Sequence, residues 1–266
     1  MAEPNSSIAE FVRFSRVSVV YGKGAAAVQA LQEISLSFAK GDFVCIVGPS
    51  GCGKTTLLQA LAGFLRPSTG EVIVDGRIVS GPGPDRGVVF QQPALFPWRT
   101  VEANAAFGPE MRGEDVASRR RRIEGWLHRV GLLEFRHRYP YELSGGMQQR
   151  LAIVRALVNE PALLLMDEPF GALDALTREK MQEELHTVWR SSEMTVLFIT
   201  HSVEEAVYLG TRVVVMSSRP GRVIESIATP FARQQGERDI RAIKSSPAFV
   251  EMREHILGLI WGVAEA

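Results

Sequence analysis

The sequence is short of most features that would set it apart from ordinary globular proteins. Two cysteines, Cys45 and Cys52, are too few for a disulfide framework in 266 residues. A disulfide-built secreted scaffold is thereby excluded, and a reducing compartment, the cytosol, is expected. Charge of one sign is not in excess either, with thirty Lys and Arg against thirty Asp and Glu. No global field draws the chain onto nucleic acid, and no nucleic-acid partner is expected. No apolar run approaches the roughly 18 residues that a spanning helix needs. The first ten residues, with Glu3, Pro4 and Asn5, have neither a basic start nor an apolar stretch and predict no export signal. Long repeats and low-complexity linkers are missing too, and 45% of the residues are apolar. One two-lobed domain over residues 1–266 is the simplest expectation.

Where apolar residues gather, they do so in short runs. FVCIV from Phe43, LLLM from Leu163 and VLFI from Val196 are each followed by a Gly-rich, acidic or Thr-His turn. Runs bounded this way read as buried strands of a parallel sheet, with functional loops at their carboxyl ends, so the core is α/β. Phe14 to Tyr21, Ile34 to Phe38 and Glu71 to Val74 alternate instead and read as half-buried antiparallel strands, with Asp75-Gly76 as a hairpin turn. Between Val101 and Asn159 the pattern becomes helical. Val116 to Leu132 carries Val116, Ile123, Leu127 and Val130 on one face and Arg119 to Arg122 on the others. A lipid or nucleic-acid patch is one reading of those arginines; with Glu114, Asp115 and Glu124 close by, a solvated helix face is the reading adopted. Ser246 and Pro247 read as the N-cap and first residue of a tail helix, with Phe249, Met252, Ile256 and Ile260 at helical spacing.

Three motifs carry chemistry. Gly48-Pro49-Ser50-Gly51-Cys52-Gly53-Lys54-Thr55 fits G-x-x-x-x-G-K-S/T, directly after a strand and before the helical run Thr56 to Ala62. Glycines let backbone N–H groups turn around phosphates at a helix start, where unpaired donors and the dipole already favour an anion. Lys54 then reaches the β and γ phosphates and Thr55 offers its hydroxyl to Mg²⁺. Asp167-Glu168 ends the LLLM strand: Asp167 would hold Mg²⁺ and Glu168 would polarise the attacking water. In Leu143-Ser144-Gly145-Gly146-Met147-Gln148-Gln149-Arg150, Ser144 is a natural N-cap and the glycines expose donors, which makes a second phosphate-binding helix start.

In this order the motifs resemble those of the ATPase subunits of ATP-binding cassette (ABC) transporters, and the resemblance covers nearly the whole chain. It implies a P-loop NTPase, RecA-like core with a parallel sheet, an antiparallel β-subdomain and an inserted helical subdomain. The implied catalytic lobe takes residues 10–90 and 161–230, the helical subdomain 91–160 and a short helical tail 231–266. It implies ATP and Mg²⁺ as cofactors and brings further positions with it. Tyr21 matches the aromatic that stacks on adenine, although by itself it is an ordinary strand-end tyrosine. Thr56 follows the P-loop at the nucleotide. Gln91 matches the Q-loop glutamine at Mg²⁺, with Gln92 as the neighbouring alternative. Asp174, in Phe170-Gly171-Ala172-Leu173-Asp174, matches the D-loop, and His201 the switch histidine at the γ phosphate. Of the other histidines, His128, His137, His186 and His255 share no motif and read as surface or packing residues.

The resemblance also implies partners. Two ATPase subunits form a homodimer in which each ATP lies between one P-loop and the partner's Ser144, Gly145 and Gly146. A dimeric integral-membrane permease is contacted near Gln91 to Arg99, and a periplasmic or extracellular solute-binding protein delivers the solute. The place of work is the cytoplasmic face of the bacterial inner membrane. SGPGPDRGVVFQ from Ser80 and LFPWRTVEANAAFG from Leu95 resemble the nitrate, sulfonate and taurine importer ATPases. The tail, FARQQ from Phe231 and IKSSPAFVEMREHIL from Ile243, is most similar to the taurine branch. An ATP hydrolase powering uptake of a small anionic solute is the expectation. Cassettes of other importers, exporters or lipid-release complexes rest on the same motifs and stay open, as does a cassette that does not transport. Two expectations concern surfaces. Cys52, in the phosphate loop, is open to alkylation that MgATP prevents, and Phe96 and Trp98 either face the permease or fold back onto the helical subdomain.

Overall fold

The computed structural model describes residues 10–234 and 240–264. Glu3, Pro4 and Asn5, read above for export, and Gln235 of the tail motif lie outside the described residues. In chain order the elements are β1 (Glu10–Tyr21), β2 (Val28–Ala39), β3 (Phe43–Val47), α1 (Lys54–Ala62), β4 (Thr69–Val74), β5 (Arg77–Ile78), β6 (Arg86–Val89), α2 (Val101–Met111), α3 (Val116–Arg129), α4 (Gly145–Leu157), β7 (Leu163–Asp167), α5 (Ala175–Ser191), β8 (Thr195–Ile199), α6 (Val203–Leu209), β9 (Arg212–Met216), β10 (Val223–Ala228), α7 (Phe231–Gln234), α8 (Ile240–Lys244) and α9 (Pro247–Ala264). They form two compact units, one of residues up to Gly83 and from Thr195 onward, the other Pro84–Met194.

The first unit holds two sheets. In one, β1 pairs antiparallel with β2 and β4, and β4 turns into β5 through Asp75-Gly76 with Val74 opposite Arg77. Asp75 and Gly76 both have positive φ, the geometry of a two-residue hairpin turn. In the other, β3 runs parallel to β8 on one side and β9 on the other, and β10 closes antiparallel on β9. Every residue of β3 and β8 is buried, which is why both read as uninterrupted apolar runs. β9, with Val213 to Met216 buried, is the neighbour of β3 that the motif-led reading did not single out. The tail helix α9 starts after Ser246, whose Oγ accepts the Phe249 N–H at 3.4 Å, and buries Phe249 and Ile256.

In the second unit β6 and β7 pair in parallel, Arg86 opposite Leu163 through Val89 opposite Met166. It extends past residues 91–160 on both sides, because this strand pair and α5 belong to the same compact body as the helices. Ile123, Leu127 and Val130 are buried as the spacing predicts, but Val116 is 63% exposed. It is the first residue of α3, beside the N-cap Asp115, and the buried stripe starts two turns later. The arginine run is solvated and paired with carboxylates: Arg119 with Glu110 at 3.6 Å, Arg120 with Glu124 at 3.1 Å, and Arg122 with Glu114.

Two glycines should respond oppositely to a methyl group. Gly63 ends α1 at φ 80°, where a Cβ would stand 2.2 Å from the Gly81 carbonyl oxygen. Gly125, exposed within α3, has nothing within 4 Å of that position. Gly63→Ala is expected to destabilise the protein by about 2 kcal/mol or more, and Gly125→Ala to stabilise it by up to ~1 kcal/mol. Urea unfolding of the two variants measures both.

Candidate nucleotide site

The buried strand β3 delivers the chain into the phosphate loop, and α1 begins at Lys54. Gly53 occupies the cap position at φ 98°, and its missing Cβ would lie 2.7 Å from Leu31 Cδ2 and 2.9 Å from the Ala30 carbonyl. Only glycine fits there. With glycine at the cap, no side chain accepts from the first turn of α1, so those N–H groups suit an anion. Lys54 is buried, and its ammonium donates to the carbonyl oxygens of Gly48 and Pro49, both at 2.9 Å. Ser50, Gly51 and Thr55 are exposed around it. An uncapped helix start with a fixed cation at its edge fits a polyphosphate. Tyr21 ends β1, 42% exposed, with its hydroxyl 3.3 Å from the Thr56 hydroxyl. The ring therefore keeps an accessible surface for stacking.

Cys52 corrects the expectation of an open thiol. It is fully buried, with Lys54 Nζ donating toward its sulfur at 3.8 Å. Burial pushes the thiol's pKa up, and the nearby Lys54 offsets this only in part. Its backbone N–H closes a turn on the Pro49 oxygen at 3.4 Å. The residue fixes the loop from beneath.

In the second unit Asp167 is the last residue of β7 and is buried. Glu168 follows at φ 47°, a left-handed conformation that side chains seldom adopt. Gln91 donates from Nε2 to Glu168 Oε2 at 3.1 Å. Of the two adjacent glutamines, Gln91 is thus the one that touches the acidic pair. Ser144 caps α4, its Oγ accepting the Met147 N–H at 3.3 Å, with Gly145 exposed beside it and Gly146 half-buried. That cap uses an oxygen lone pair, which leaves the O–H as a donor. Asp174 likewise caps α5, accepting the Thr177 N–H at 3.0 Å, and hydrogen bonds from Thr177 hold its carboxyl below the usual range. Its charge favours the neighbouring Arg150 guanidinium, whose pKa burial lowers. In the first unit His201 lies two residues past β8 and is exposed. His128, His137 and His255 are exposed and His186 is buried.

Two residues that the motif reading passed over organise the aromatic loop. Asn104 is fully buried; its side chain donates to the carbonyls of Phe96, Arg99 and Thr100 at 3.1, 2.9 and 3.0 Å and accepts the Phe96 N–H at 2.9 Å. Arg155 of α4 donates to the Ala94 carbonyl at 2.6 Å and lies over the Phe96 ring. Under these ties the loop's two aromatics stay in ring contact, centroids 5.7 Å apart, but differ in exposure. Phe96 folds back against Phe107 at 4.6 Å, whereas Trp98 is 72% exposed. A buried asparagine inside an apolar helical segment was the available signal.

A strand, a glycine-rich loop around a buried lysine and an uncapped helix, together with a strand ending in an acidic pair, define a P-loop nucleotide-binding ATPase. The family profile described as ABC transporter matches residues 31–171, and the chain belongs to that family, as an ATP-binding and ATP-hydrolysing member. The taurine import ATP-binding protein of Jannaschia sp. (strain CCS1) is 50% identical over 238 residues, 90% of this chain and 89% of that protein. The protein of the same name from Yersinia pseudotuberculosis serotype I (strain IP32953) is 49% identical over 233 residues, 87% of this chain and 91% of its own length. Among solved structures, a dimeric, post-hydrolysis ATP-binding cassette bound to ADP and phosphate superposes with a TM-score of 0.75 at 32% identity, covering 82% of this chain and 98% of that one.

The burial of Cys45 and Cys52 sets a test of the loop's packing. Ellman's reagent at pH 8 is expected to label neither thiol in the native protein over minutes and both in guanidinium. Rapid native labelling of Cys52 would show the loop to be packed otherwise.

Proposed function

We propose that this chain is the ATP-hydrolysing subunit that powers uptake of taurine, or of a closely related small sulfonate, through a separate membrane permease. The observation that carries the reading is the identity of about half the residues, over nine-tenths of the chain, to taurine import ATP-binding proteins. Nitrate or another small-anion importer is the alternative that rests on the same motifs. No helix among the described residues is long and apolar enough to cross a membrane, and the reading needs none: the protein works at the cytoplasmic face, held by the permease, with a solute-binding protein on the far side.

In this reading the chain's residues divide the work. The N–H groups of Gly51 and of Gly53 to Thr56 and the Lys54 ammonium bind the phosphates, and the Tyr21 ring stacks on the base. Thr55, Asp167 and Gln91 offer the hydroxyl, carboxylate and amide oxygens that Mg²⁺ prefers, and the ion, when bound, neutralises charge on the β and γ phosphates. Glu168 holds and deprotonates the attacking water, its carboxylate kept in place by Gln91. His201 contacts the γ phosphate. Ser144, Gly145 and Gly146 clasp the γ phosphate of a nucleotide held by a second copy of the chain, with Asp174 on the same face. Hydrolysis removes the group that this clasp recognises, so the pair opens.

Trp98 supports the docking of the permease on the loop after Gln91. Beside it, within the second unit, is a cavity of about 650 Å³ lined by Phe90, Phe96, Phe107, Met111 and Arg155. Mostly apolar walls edged by three arginines, Arg86, Arg112 and Arg155, suit a short amphipathic helix.

Three substitutions separate binding from chemistry. Lys54→Ala is expected to abolish hydrolysis while the protein stays folded. Glu168→Gln keeps size but cannot take a proton, so hydrolysis should fall ~100-fold or more while ATP, and not ADP, produces a dimer in light scattering. Ser144→Arg in that background should remove the dimer. A parental rate in Glu168→Gln would sink the role given to this residue.

Substrate and docking are tested together in the reconstituted complex. With permease and binding protein in liposomes, taurine should raise ATP hydrolysis several-fold. Cysteine placed at Trp98 should cross-link to a cytoplasmic loop of the permease. Stimulation by nitrate and not taurine would reassign the solute, and failure of several cysteine pairs would relocate the interface.

A further inference from the structure

The segment between β8 and α6 carries His201 and is closed on itself by hydrogen bonds. The Thr200 hydroxyl donates to Glu205 Oε2 at 2.5 Å, and the Ser202 N–H donates to Thr200 Oγ1 at 3.0 Å. In the return direction the Glu205 N–H donates to Ser202 Oγ at 3.2 Å, and the Ala206 N–H to the Ser202 carbonyl at 3.1 Å. Thr200 is also tied to the strand that feeds the phosphate loop, its N–H donating to the Ile46 carbonyl at 3.3 Å. Thr200 and Glu205 are buried, while His201, enclosed by the ring in sequence, is exposed.

A carboxylate at position 205 needs a reason. Val203, Ala206, Val207, Tyr208 and Leu209 of the same short helix are all buried, and an apolar residue in place of Glu205 would avoid the cost of desolvating an acid. What the acid supplies is an acceptor for Thr200, and through Thr200 a fixed direction for the backbone at 200–202. An exposed imidazole on an unsupported turn would sample many orientations. On this one, the main chain on both sides of it is pinned, which is the condition for holding a side chain within the few tenths of an ångström that catalysis rewards.

We propose that Thr200 and Glu205 are positioning residues for His201, setting the backbone from which the imidazole reaches the γ phosphate. The proposal rests on the reading of His201 as a γ-phosphate contact. Both side chains are buried and bonded to each other, so their loss is expected to act on turnover and to leave ATP affinity alone.

The test uses the full chain and steady-state ATP hydrolysis. Thr200→Val removes the hydroxyl at nearly constant shape, and Glu205→Ala removes the acceptor. Each should lower kcat by about tenfold or more with KM for ATP within about twofold of the parent. Thr200→Ser and Glu205→Gln retain a donor and an acceptor oxygen and should recover most of the rate. In a His201→Ala background Thr200→Val should cost less than about twofold more, because residues that act through one group are not additive. Amide hydrogen exchange across residues 200–203 should quicken in Thr200→Val. If Glu205→Ala does not fold, Thr200→Val alone decides. A parental kcat in Thr200→Val, or a loss that multiplies with that of His201→Ala, overturns the proposal. A parental rate in His201→Ala by itself refutes the reading of the histidine, and the proposal with it, whereas the other two outcomes leave that reading standing.

Discussion

A buried ammonium is the constraint on which the phosphate loop, and the site built on it, depends. Lys54 is taken out of water and is tolerated because the carbonyls of Gly48 and Pro49 satisfy its hydrogens. For those oxygens to meet it, the loop has to double back over the first turn of α1, which requires the left-handed glycine at position 53 and the burial of Cys52 beneath. β3 in turn has to arrive at a fixed height, and it is held by parallel ladders to β8 and β9 on either side. Carbonyl dipoles satisfy hydrogen bonds but do not cancel a charge. The loop is therefore folded before any ligand arrives and still presents a positive field to an anion, which is preorganisation in the electrostatic sense.

The motif loops share a second device. Ser144, Asp174 and Ser202 are each the N-cap of the helix that follows, accepting from Met147, Thr177 and Glu205 respectively. A cap fixes the residue's own side chain and stiffens the turn on which neighbouring donors sit. Ser144 thus serves the fold at the same oxygen that the proposed chemistry uses. This explains how short, glycine-containing loops stay ordered on a surface where mobility would defeat them.

Much of this was legible in the sequence because the governing patterns are local. Three apolar runs became β3, β7 and β8 because full burial on both faces demands such runs, and Asp75-Gly76 made its hairpin because that dipeptide tolerates two positive φ angles. The caps at Ser144 and Ser246 were visible for the same reason. What escaped depended on distant partners. Whether Cys52 points out or in is decided by Lys54 and the strand beneath, not by its place in a motif. The difference in exposure between Phe96 and Trp98 is decided by Asn104, eight residues on from Phe96, and by Arg155. β9 was overlooked because no motif follows it, although RVVVM has the same apolar character as its neighbours.

Glu168 shows how backbone and side chain combine in one site. A left-handed φ costs a non-glycine residue roughly 1 kcal/mol or more. Of the other described non-glycine residues with that backbone, Asp75 forms a hairpin turn, Glu160 lies in the turn between α4 and β7, and Arg16 and Glu33 sit at register shifts of β1 and β2. At those places the chain changes direction or count. Glu168 instead follows a regular buried strand, where an extended residue would simply have continued outward. The left-handed step redirects the chain immediately after Asp167, and Gln91 then holds the Glu168 carboxylate at 3.1 Å. A side chain whose backbone is confined to a small, disfavoured region and whose carboxylate has a fixed partner has few orientations left. The strain is offset by the buried ladder of β6 and β7 that precedes it. Gln91 is exposed and begins the loop that bears Trp98, so a displacement of that loop acts first on the bond to Glu168. One hydrogen bond thereby places the loop proposed to meet the permease and the carboxylate proposed to activate water under a common geometric control.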